Sequence, residues 1–382
     1  MTLKLSRRGA IPPFIAMDVL RAANARAAAG DDVIHLELGQ PSTAAPRGVI
    51  AAARAALQSE VLGYTDACGL PALRQAIAAH YLNAHGLAID PARIVVTTGS
   101  SAGFILAFLA AFDPGDRVGL ASPAYPAYRN ILAALDLVPV ELRAGPKDRY
   151  QATLDLVRST KDGIDGLIVA SPANPTGSML DPVDLASMAR HCEATGIRLI
   201  SDEIYHGITY DMTASSAAAS SGEAIIINSF SKYFSMTGWR IGWMIVPTAM
   251  LRTVECLAQN LFISPPALSQ HAALAAFSCR DELDANVARY AENRALLLEQ
   301  LPQAGFDRFA PADGAFYLYA DIAHLTNDSA AFCSRMLREI GVACTPGTDF
   351  DRERGHATLR LCFAGATAEI AEAARRIARW KR

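Results

Sequence analysis

Residues 229–240 read Ser229-Phe230-Ser231-Lys232-Tyr233-Phe234-Ser235-Met236-Thr237-Gly238-Trp239-Arg240 and directly follow an apolar run at 224–228. Lysine is scarce in this chain, with five lysines against thirty arginines. An amine can lose its proton and condense with an aldehyde, whereas a guanidinium stays protonated. The neighbouring Ser229, Ser231 and Arg240 suit a phosphate group. An aldehyde that carries a phosphate describes pyridoxal 5′-phosphate (PLP), and the segment therefore predicts a PLP site at Lys232.

The composition limits the classes of protein to consider. The chain has 382 residues, 51% of them apolar, which is enough for two domains with cores of their own. A net charge of −3 at pH 7 indicates no nucleic-acid partner. The longest apolar run, at 103–112, is too short to span a bilayer, so no membrane association is predicted. The start of the chain lacks the apolar core of a signal peptide, and the seven scattered cysteines form no CxxC pair. We therefore expect reduced thiols, no metal site and a cytoplasmic location.

Short apolar runs alternate with alanine-rich helical stretches over most of the chain. Strands are predicted at 93–98, 117–121, 166–170, 198–201, 224–228 and 241–246, with helices such as 102–112, 125–134 and 181–195 between them. Strands that are apolar throughout are typical of a parallel sheet covered by helices on both faces. The sequence predicts an α/β fold with a large domain at 40–275.

The pattern changes after about residue 265. A long helical stretch is predicted at 266–301, followed by strands at 316–320 and 358–363, a helix at 330–340 and a terminal helix. The segment before Glu37 shows no alternation of strand and helix. We expect a smaller α+β domain built from both chain ends, residues 1–39 and 276–382.

Polar candidates fall where predicted strands end. Ser100 and Ser101 follow 93–98, Tyr125 follows 117–121, Asn174 follows 166–170, and Asp202 and Tyr205 follow 198–201. Ligands of open α/β sheets bind outside the carboxyl ends of the strands. We therefore expect these side chains to meet Lys232 in one site.

With these residues in view, the chain resembles the class I/II PLP-dependent aminotransferases of fold type I. The resemblance runs from Gly39 to Arg360 and is carried by four pieces in order: Asn174-Pro175-Thr176-Gly177, Asp202-Glu203-Ile204-Tyr205, Ser229 to Lys232 with Arg240, and Leu359-Arg360-Leu361. It implies that Lys232 forms a Schiff base with PLP and then carries a proton. It also implies that Asp202 pairs with the pyridine nitrogen.

The resemblance assigns further roles around the cofactor. Tyr205 and Asn174 would donate hydrogen bonds to the ring oxygen, and Tyr125 would stack on the ring. The residues implied to hold the phosphate are Ser100, Ser101, Ala102, Ser229, Ser231 and Arg240. Gly99-Ser100-Ser101-Ala102-Gly103 is not a GxGxxG fingerprint, which counts against a nucleotide.

The substrate side of the site and the assembly are implied in the same way. Arg360 would clamp the α-carboxylate of the substrate, with Asn174 and the backbone of Gly39 completing the cradle. Tyr64 resembles a tyrosine that reaches the phosphate of the neighbouring subunit, so the resemblance implies a homodimer with shared active sites.

The predicted reaction is transfer of an amino group from an L-amino acid to a 2-oxo acid. Three alternatives stay open at this point: a PLP-dependent lyase or decarboxylase, a non-catalytic PLP-sensing domain, and an unrelated α/β binding protein without cofactor. The substrates are not fixed by the motifs. The apolar segment Ile11-Pro12-Pro13-Phe14 indicates a hydrophobic or mixed pocket, and no position matches a second substrate-binding cation.

Overall fold

The computed structural model describes residues 3–381; residues 1, 2 and 382 of the predicted small domain lie outside it. The α-helices of the described residues are α1 Ile15–Ala28, α2 Arg47–Ser59, α3 Pro71–His85, α4 Gly99–Ala111, α5 Pro126–Ala134, α6 Leu154–Arg158, α7 Pro182–Thr195, α8 Leu251–Leu261, α9 Ala267–Ala276, α10 Arg280–Gln300, α11 Ser329–Ile340 and α12 Thr367–Arg379. Within this range, no helix combines the length and the apolar character that crossing a bilayer requires.

The strands of the same residues are β1 Ile34–His35, β2 Ile94–Thr97, β3 Arg117–Ser122, β4 Val138–Arg143, β5 Gly166–Ala170, β6 Arg198–Asp202, β7 Ile225–Ser229, β8 Gly242–Ile245, β9 Tyr317–Asp321, β10 Val342–Ala343, β11 Thr345–Pro346 and β12 Thr358–Cys362. The central sheet has the order β2-β8-β7-β6-β5-β3-β4. β8 runs antiparallel to both of its neighbours, and the other pairings are parallel. The predicted α/β class with a mostly parallel sheet is confirmed.

The interior strands show why this sheet needs helices on both faces. Along β7, Ile226 belongs to one apolar cluster while Ile225 and Ile227 belong to another, and Leu199 and Ile200 of β6 divide in the same way. Because successive strand residues point to opposite faces, a strand that is apolar at every position must be covered twice. Because β5, β6 and β7 run parallel to one another, their carboxyl ends lie at the same edge of the sheet.

A second group of elements joins the two ends of the chain. β1 pairs in parallel with β10, with Ile34 opposite Val342, and β12 lies between β11 and β9 in an antiparallel sheet. Side chains from both ends share one apolar cluster, among them Leu36 and Phe363. This part forms the smaller α+β unit, whose residue limits stay a prediction.

One expectation from the sequence is wrong, and one strand of the central sheet is absent from the prediction. The predicted helix 266–301 is two helices, because the chain turns at 277–279 where Phe277 packs against Phe230 and Phe234. Strand β4 was not predicted. It lies at the sheet edge, is mostly only partly buried and contains Pro139, so it lacks the apolar signature of the interior strands.

Candidate active site

A cavity of about 170 Å³ opens at the carboxyl ends of the central strands. Most of the predicted site residues line it, and they come from both ends of the chain and from the sheet. The predicted residues on its wall are Gly39, Ser100, Ser101, Tyr125, Asn174, Asp202, Tyr205, Ser231, Lys232, Arg240 and Arg360. The topology thus brings together residues more than 300 positions apart in sequence, from Gly39 to Arg360.

Lys232 lies in the turn that follows β7 and is half-buried. Its Nζ donates a hydrogen bond to the carbonyl oxygen of Gly39 at 2.6 Å. Burial lowers the pKa of Lys232 to about 8, with repulsion from Arg360 and Arg240 acting in the same direction. An amine with this pKa is partly neutral near pH 7, and the neutral amine is the form that condenses with an aldehyde or accepts a proton.

Asp202 is the last residue of β6 rather than the first residue after it, and it is 2% exposed. Its Oδ1 accepts a hydrogen bond from the backbone N–H of Ile204 at 3.2 Å, and its Oδ2 accepts one from the hydroxyl of Tyr128. Burial raises the pKa of Asp202 to about 6, although both hydrogen bonds act in the opposite direction. A carboxylate in this position is stabilised by a cation placed beside it.

Sequence reasoning missed Tyr128. A signal was present, because Tyr125 and Tyr128 are three residues apart at the start of α5, and residues with that spacing share a helix face. The two rings pack edge to face with centroids 5.3 Å apart. Tyr125 therefore reaches the cavity beside a second tyrosine that binds Asp202 directly.

Tyr317 of β9 was also missed. Its hydroxyl lies 2.6 Å from the hydroxyl of Tyr205, and both side chains are buried. A Cβ added at Gly39 would collide with the Tyr317 hydroxyl, so the close approach of the 39–40 backbone depends on glycine. The apolar run at 316–320 predicted the strand but did not indicate that Tyr317 faces the site.

Arg360 lies in β12 and is 1% exposed. Its guanidinium carbon is 4.6 Å from the ring centroid of Tyr317 and 4.7 Å from that of Phe350, so two aromatic rings hold the group. Its Nη1 donates to Asn174 Oδ1 at 2.8 Å. Its Nη2 donates to the carbonyl of Glu37 and to Thr345 Oγ1. These contacts orient a planar cation and use three of its five N–H groups, so one hydrogen on Nη1 and one on Nε remain for a carboxylate.

The predicted phosphate residues gather around the start of α4. Gly99 has φ +73°, and Ser100 and Ser101 follow in the first turn, where backbone N–H groups lack partners within the helix. A Cβ added at Gly99 would lie 2.6 Å from Arg240 Nη2, so glycine permits the guanidinium to pack there. This cradle of N–H groups and a cation fits an anion such as a phosphate.

Three predicted residues do not line this cavity. Ala102 is buried inside α4, and Ser229 lies behind Ser231, to whose Oγ it donates a hydrogen bond at 2.9 Å. Tyr64 lies in the loop between α2 and α3 and is 84% exposed. Their contacts with a cofactor stay predictions, and that of Tyr64 requires a second subunit.

Together these residues fit a group that carries an aldehyde, a phosphate and an aromatic nitrogen. Lys232 supplies an amine with a lowered pKa, Asp202 a buried carboxylate, and the start of α4 with Arg240 an anion cradle. The fold and this set of groups suit an α/β enzyme that uses a lysine amine and binds a carboxylate, and the roles of the individual residues stay predictions.

Comparison of this chain with known protein families and proteins identifies its family. The model of the family "Aminotransferase class I and II" matches residues 31–377, and the chain belongs to this family. It is 51% identical, over 100% of its length and 99% of the relative, to the valine–pyruvate aminotransferase of Mycobacterium tuberculosis. The predicted family and the enzyme class, an aminotransferase acting between an amino acid and a 2-oxo acid, are confirmed.

Solved structures agree with this assignment. A crystal structure of an aminotransferase from Mycobacterium tuberculosis has a TM-score of 0.98 at 51% identity and covers 99% of both chains. The aspartate aminotransferase of Thermus thermophilus with maleate has a TM-score of 0.92 at 31% identity, covering 99% of this chain and 100% of the other. The fold is therefore shared with solved aminotransferases at both 51% and 31% identity.

Proposed function

We propose that this aminotransferase holds PLP through Lys232 and moves an amino group between a branched aliphatic amino acid, with valine as the leading case, and pyruvate. The 51% identity with a valine–pyruvate aminotransferase over the whole chain supports this choice. The observation that carries it is the apolar wall of the cavity, contributed by Phe14, Leu38, Phe104 and Ile131. A branched hydrocarbon side chain is stabilised when such a wall removes it from water.

Phe14 is placed to form part of that wall. Its ring packs edge to face against Tyr125 with centroids 5.7 Å apart. The helix that follows, α1, is anchored at its start, because the carboxylate of Asp349 accepts hydrogen bonds from the N–H groups of Ile15 and Ala16 at 3.0 and 3.2 Å. Asp349 precedes Phe350, which packs on Arg360. The apolar wall and the carboxylate clamp are thus joined through two consecutive residues.

The charges that line the cavity argue against a dicarboxylic substrate. Among the described residues, its cations are Lys232, Arg240 and Arg360, and each already has a proposed partner. A second carboxylate would need a further cation or a set of donors to replace its hydration. Aspartate and glutamate are therefore expected to be poor amino donors.

In the proposed reaction, Arg360 and Asn174 hold the substrate carboxylate and orient the Cα–H bond toward Lys232. Bound PLP supplies an electron sink for the charge left when that bond breaks. Lys232 Nζ would take the proton from Cα and deliver it to the C4′ carbon of the cofactor. Asp202 would keep a negative charge next to the ring nitrogen, and Tyr205 would donate a hydrogen bond to the ring oxygen.

We further propose a homodimer in which Tyr64 completes the phosphate site of the partner. Tyr64 belongs to an exposed apolar surface together with Leu57, Val61, Leu261 and Ile263. The N–H of Thr65 donates to Ser264 Oγ at 3.3 Å, so the two segments of this surface adjoin. Exposed apolar patches of this kind are typical of subunit interfaces.

The test is a panel of amino donors assayed with pyruvate and with 2-oxoglutarate. We expect valine and similar branched amino acids with pyruvate to give the highest kcat/KM. The donors for comparison are alanine, which is assayed with 2-oxoglutarate only, aspartate and phenylalanine. A preference for aspartate or phenylalanine over valine would contradict the proposed substrate class while leaving the aminotransferase assignment in place.

A further inference from the structure

Two buried titratable side chains next to the active site have no part in the reaction described above. Glu203 and His206 follow Asp202 in the turn after β6, and their side chains are 1% and 4% exposed. Glu203 Oε2 lies 3.5 Å from His206 Nδ1. Neither atom has a hydrogen-bond partner that meets normal geometry among residues 3–381. Buried polar atoms without partners are rare, so this pair requires an explanation.

The hydrogen positions follow from the other contacts of the two side chains. His206 Nε2 lies 3.2 Å from the carbonyl oxygen of Ser171, and because a carbonyl only accepts, Nε2 carries a hydrogen. A neutral imidazole has one N–H, so Nδ1 presents a lone pair. Glu203 Oε1 already accepts three hydrogen bonds, which come from Ser201 Oγ, Ser216 Oγ and the N–H of Ala217.

Glu203 Oε2 therefore faces an imidazole nitrogen across a buried gap. If the carboxyl were ionised and the imidazole neutral, two acceptors would face each other with neither satisfied. One additional proton on the pair removes this conflict. That proton can lie on Oε2, giving two neutral groups, or on Nδ1, giving an ion pair.

We propose that Glu203 carries this proton on Oε2 and donates a hydrogen bond to His206 Nδ1, and that the neutral pair positions Asp202 and Tyr205 in the active site. The pair joins three segments. His206 binds Ser171 of the turn that leads to Asn174, and Glu203 binds the 216–217 segment and β6. Asp202 and Tyr205 lie between these attachments in sequence. Glu203 and His206 are thus positioning residues, and their effect on turnover rests on the proposed function.

The surroundings favour the neutral form over the ion pair. Burial raises the pKa of Glu203 to about 8, with repulsion from the neighbouring Asp202 acting in the same direction. Burial lowers the pKa of His206 to about 3. The titratable groups that face the pair from neighbouring elements are Asp202 of β6 and, on α3, His80, Tyr81 and His85. The ring of His85 is 5.3 Å from that of His206, which disfavours an imidazolium there.

Glu203→Gln separates the two protonation schemes. The amide NH₂ of glutamine can donate to His206 Nδ1, and its oxygen can accept the bonds that Oε1 accepts now, so the variant imitates the protonated acid. We expect kcat and KM within about threefold of the wild type at pH 7. Glu203→Met, of similar size but without polar atoms, leaves the surrounding donors unpaired and should lose at least about tenfold in kcat or fail to fold. A Gln variant as impaired as the Met variant would overturn the proposal.

A second measurement does not depend on turnover or cofactor. In the infrared spectrum of the protein without PLP, the wild type should show the carbonyl band of a buried protonated carboxylic acid at pH 7, and Glu203→Gln should lack it. The band should disappear as the pH rises through about 8, because the pKa of Glu203 is raised to about 8. If the wild type has no such band at pH 7, the Glu203 carboxyl is ionised and the proposal is wrong, whatever the substrate.

Unfolding supplies the corresponding thermodynamic test. The pKa of Glu203 rises from its ordinary value of 4.5 to about 8 on folding. At pH values between about 4.5 and about 8, the folded protein therefore binds one more proton at Glu203 than the unfolded chain does. The free energy of unfolding of the wild type should consequently fall, relative to that of Glu203→Gln, as the pH rises through this range. Above that range the difference should stay constant. Asp202 titrates in both proteins and cancels from the comparison. A stability difference that does not change with pH would contradict the assigned proton.

Discussion

The hydroxyl groups of Tyr205 and Tyr317 are hydrogen-bonded to each other, with their oxygen atoms 2.6 Å apart. The ring of Tyr317 also packs on the guanidinium of Arg360, whose carbon is 4.6 Å from the ring centroid. One tyrosine that the motifs did not identify therefore connects the proposed ring-oxygen donor with the proposed carboxylate clamp. The position of the Tyr205 hydroxyl therefore depends, through Tyr317, on the position of the Arg360 guanidinium.

Tyr317→Phe keeps the ring on Arg360 and removes only the hydrogen bond to Tyr205. We expect kcat to fall by roughly fivefold, as for the loss of one hydrogen bond worth about 1 kcal/mol, with little change in the KM for the amino acid. The pH titration of the visible absorbance of the PLP-loaded enzyme should shift as well, because Tyr205 loses its partner. Tyr319→Phe, on the same strand, removes a hydroxyl that binds Thr358 instead and is the control. An unshifted titration in Tyr317→Phe would show that the two hydroxyls are not coupled.

Tyr128→Phe should change the pH dependence of cofactor binding. The hydrogen bond from Tyr128 stabilises the carboxylate and so lowers the pKa of Asp202, which burial holds at about 6. Without this bond the pKa moves higher. Because ionised Asp202 pairs with the ring nitrogen, PLP affinity is lost as the pH falls through that pKa, and the loss should begin at a higher pH in the variant. The dissociation constant of PLP measured between pH 5 and pH 9 checks this.

The control for this series is Tyr125→Phe. It removes a hydroxyl from a nearby tyrosine but leaves the hydrogen bonds of Asp202 intact. The Asp202 carboxylate accepts those bonds from the Tyr128 hydroxyl and from the backbone N–H of Ile204. This variant can change the affinity for PLP but should leave the midpoint of the pH dependence in place. Equal midpoints in the wild type and Tyr128→Phe would refute the role given to Tyr128.

Arg360→Lys keeps the charge and removes the planar pair of donors. A lysine cannot bind Asn174 and a carboxylate in the same geometry, nor stack between Tyr317 and Phe350. We expect kcat/KM for valine to fall by about a hundredfold or more, in line with the loss of a hydrogen bond to a charged group worth about 3 kcal/mol. The half-reaction with isobutylamine, which lacks the carboxylate, is the control and should be nearly unaffected. A similar loss with both donors would mean that Arg360 acts on the fold rather than on the substrate carboxylate.

Mixed dimers test whether the active sites are shared. Lys232→Ala and Tyr64→Ala should each be inactive or severely impaired alone, because each removes one proposed component of every site. After the two variants are unfolded and refolded together, half of the dimers are mixed and contain one intact site, so about a quarter of the wild-type activity should return. If both singly substituted chains are impaired and no activity returns, Tyr64 does not serve the partner's site.

Much of the fold was readable from the sequence because its interior strands are apolar at every position. β5, β6 and β7 lie between helices on both faces, so burial imposes the same composition on all three. The antiparallel direction of β8 could not be predicted, since its residues meet the same burial requirement in either direction. β4 was missed because an edge strand can tolerate Pro139 and partial exposure.

Most of the site residues found by sequence reasoning belong to short motifs at strand ends, whereas Arg360 lies within β12 and Tyr64 in the loop between α2 and α3. Tyr128 and Tyr317 belong to no such motif. They reach the cavity because α5 and β9 pack beside it, and that contact depends on tertiary structure. Glu203 belongs to the motif Asp202-Glu203-Ile204-Tyr205. The proton that it is proposed to share with His206 follows only from burial and from the position of the Ser171 carbonyl. The cytoplasmic location and the dimer stay predictions.

Borohydride reduction of the PLP-loaded protein, followed by digestion and mass spectrometry, addresses the bond on which the proposed chemistry depends. The lowered pKa of Lys232, about 8, and its place beside Gly39 predict a reduced pyridoxyl group on the peptide that contains Lys232, and no such group at that peptide in Lys232→Ala. Lys232→Ala should also lose at least about a hundredfold in kcat, as expected when a proton carrier is removed. A label on another peptide, or no label on the wild-type protein, would contradict the assignment of Lys232.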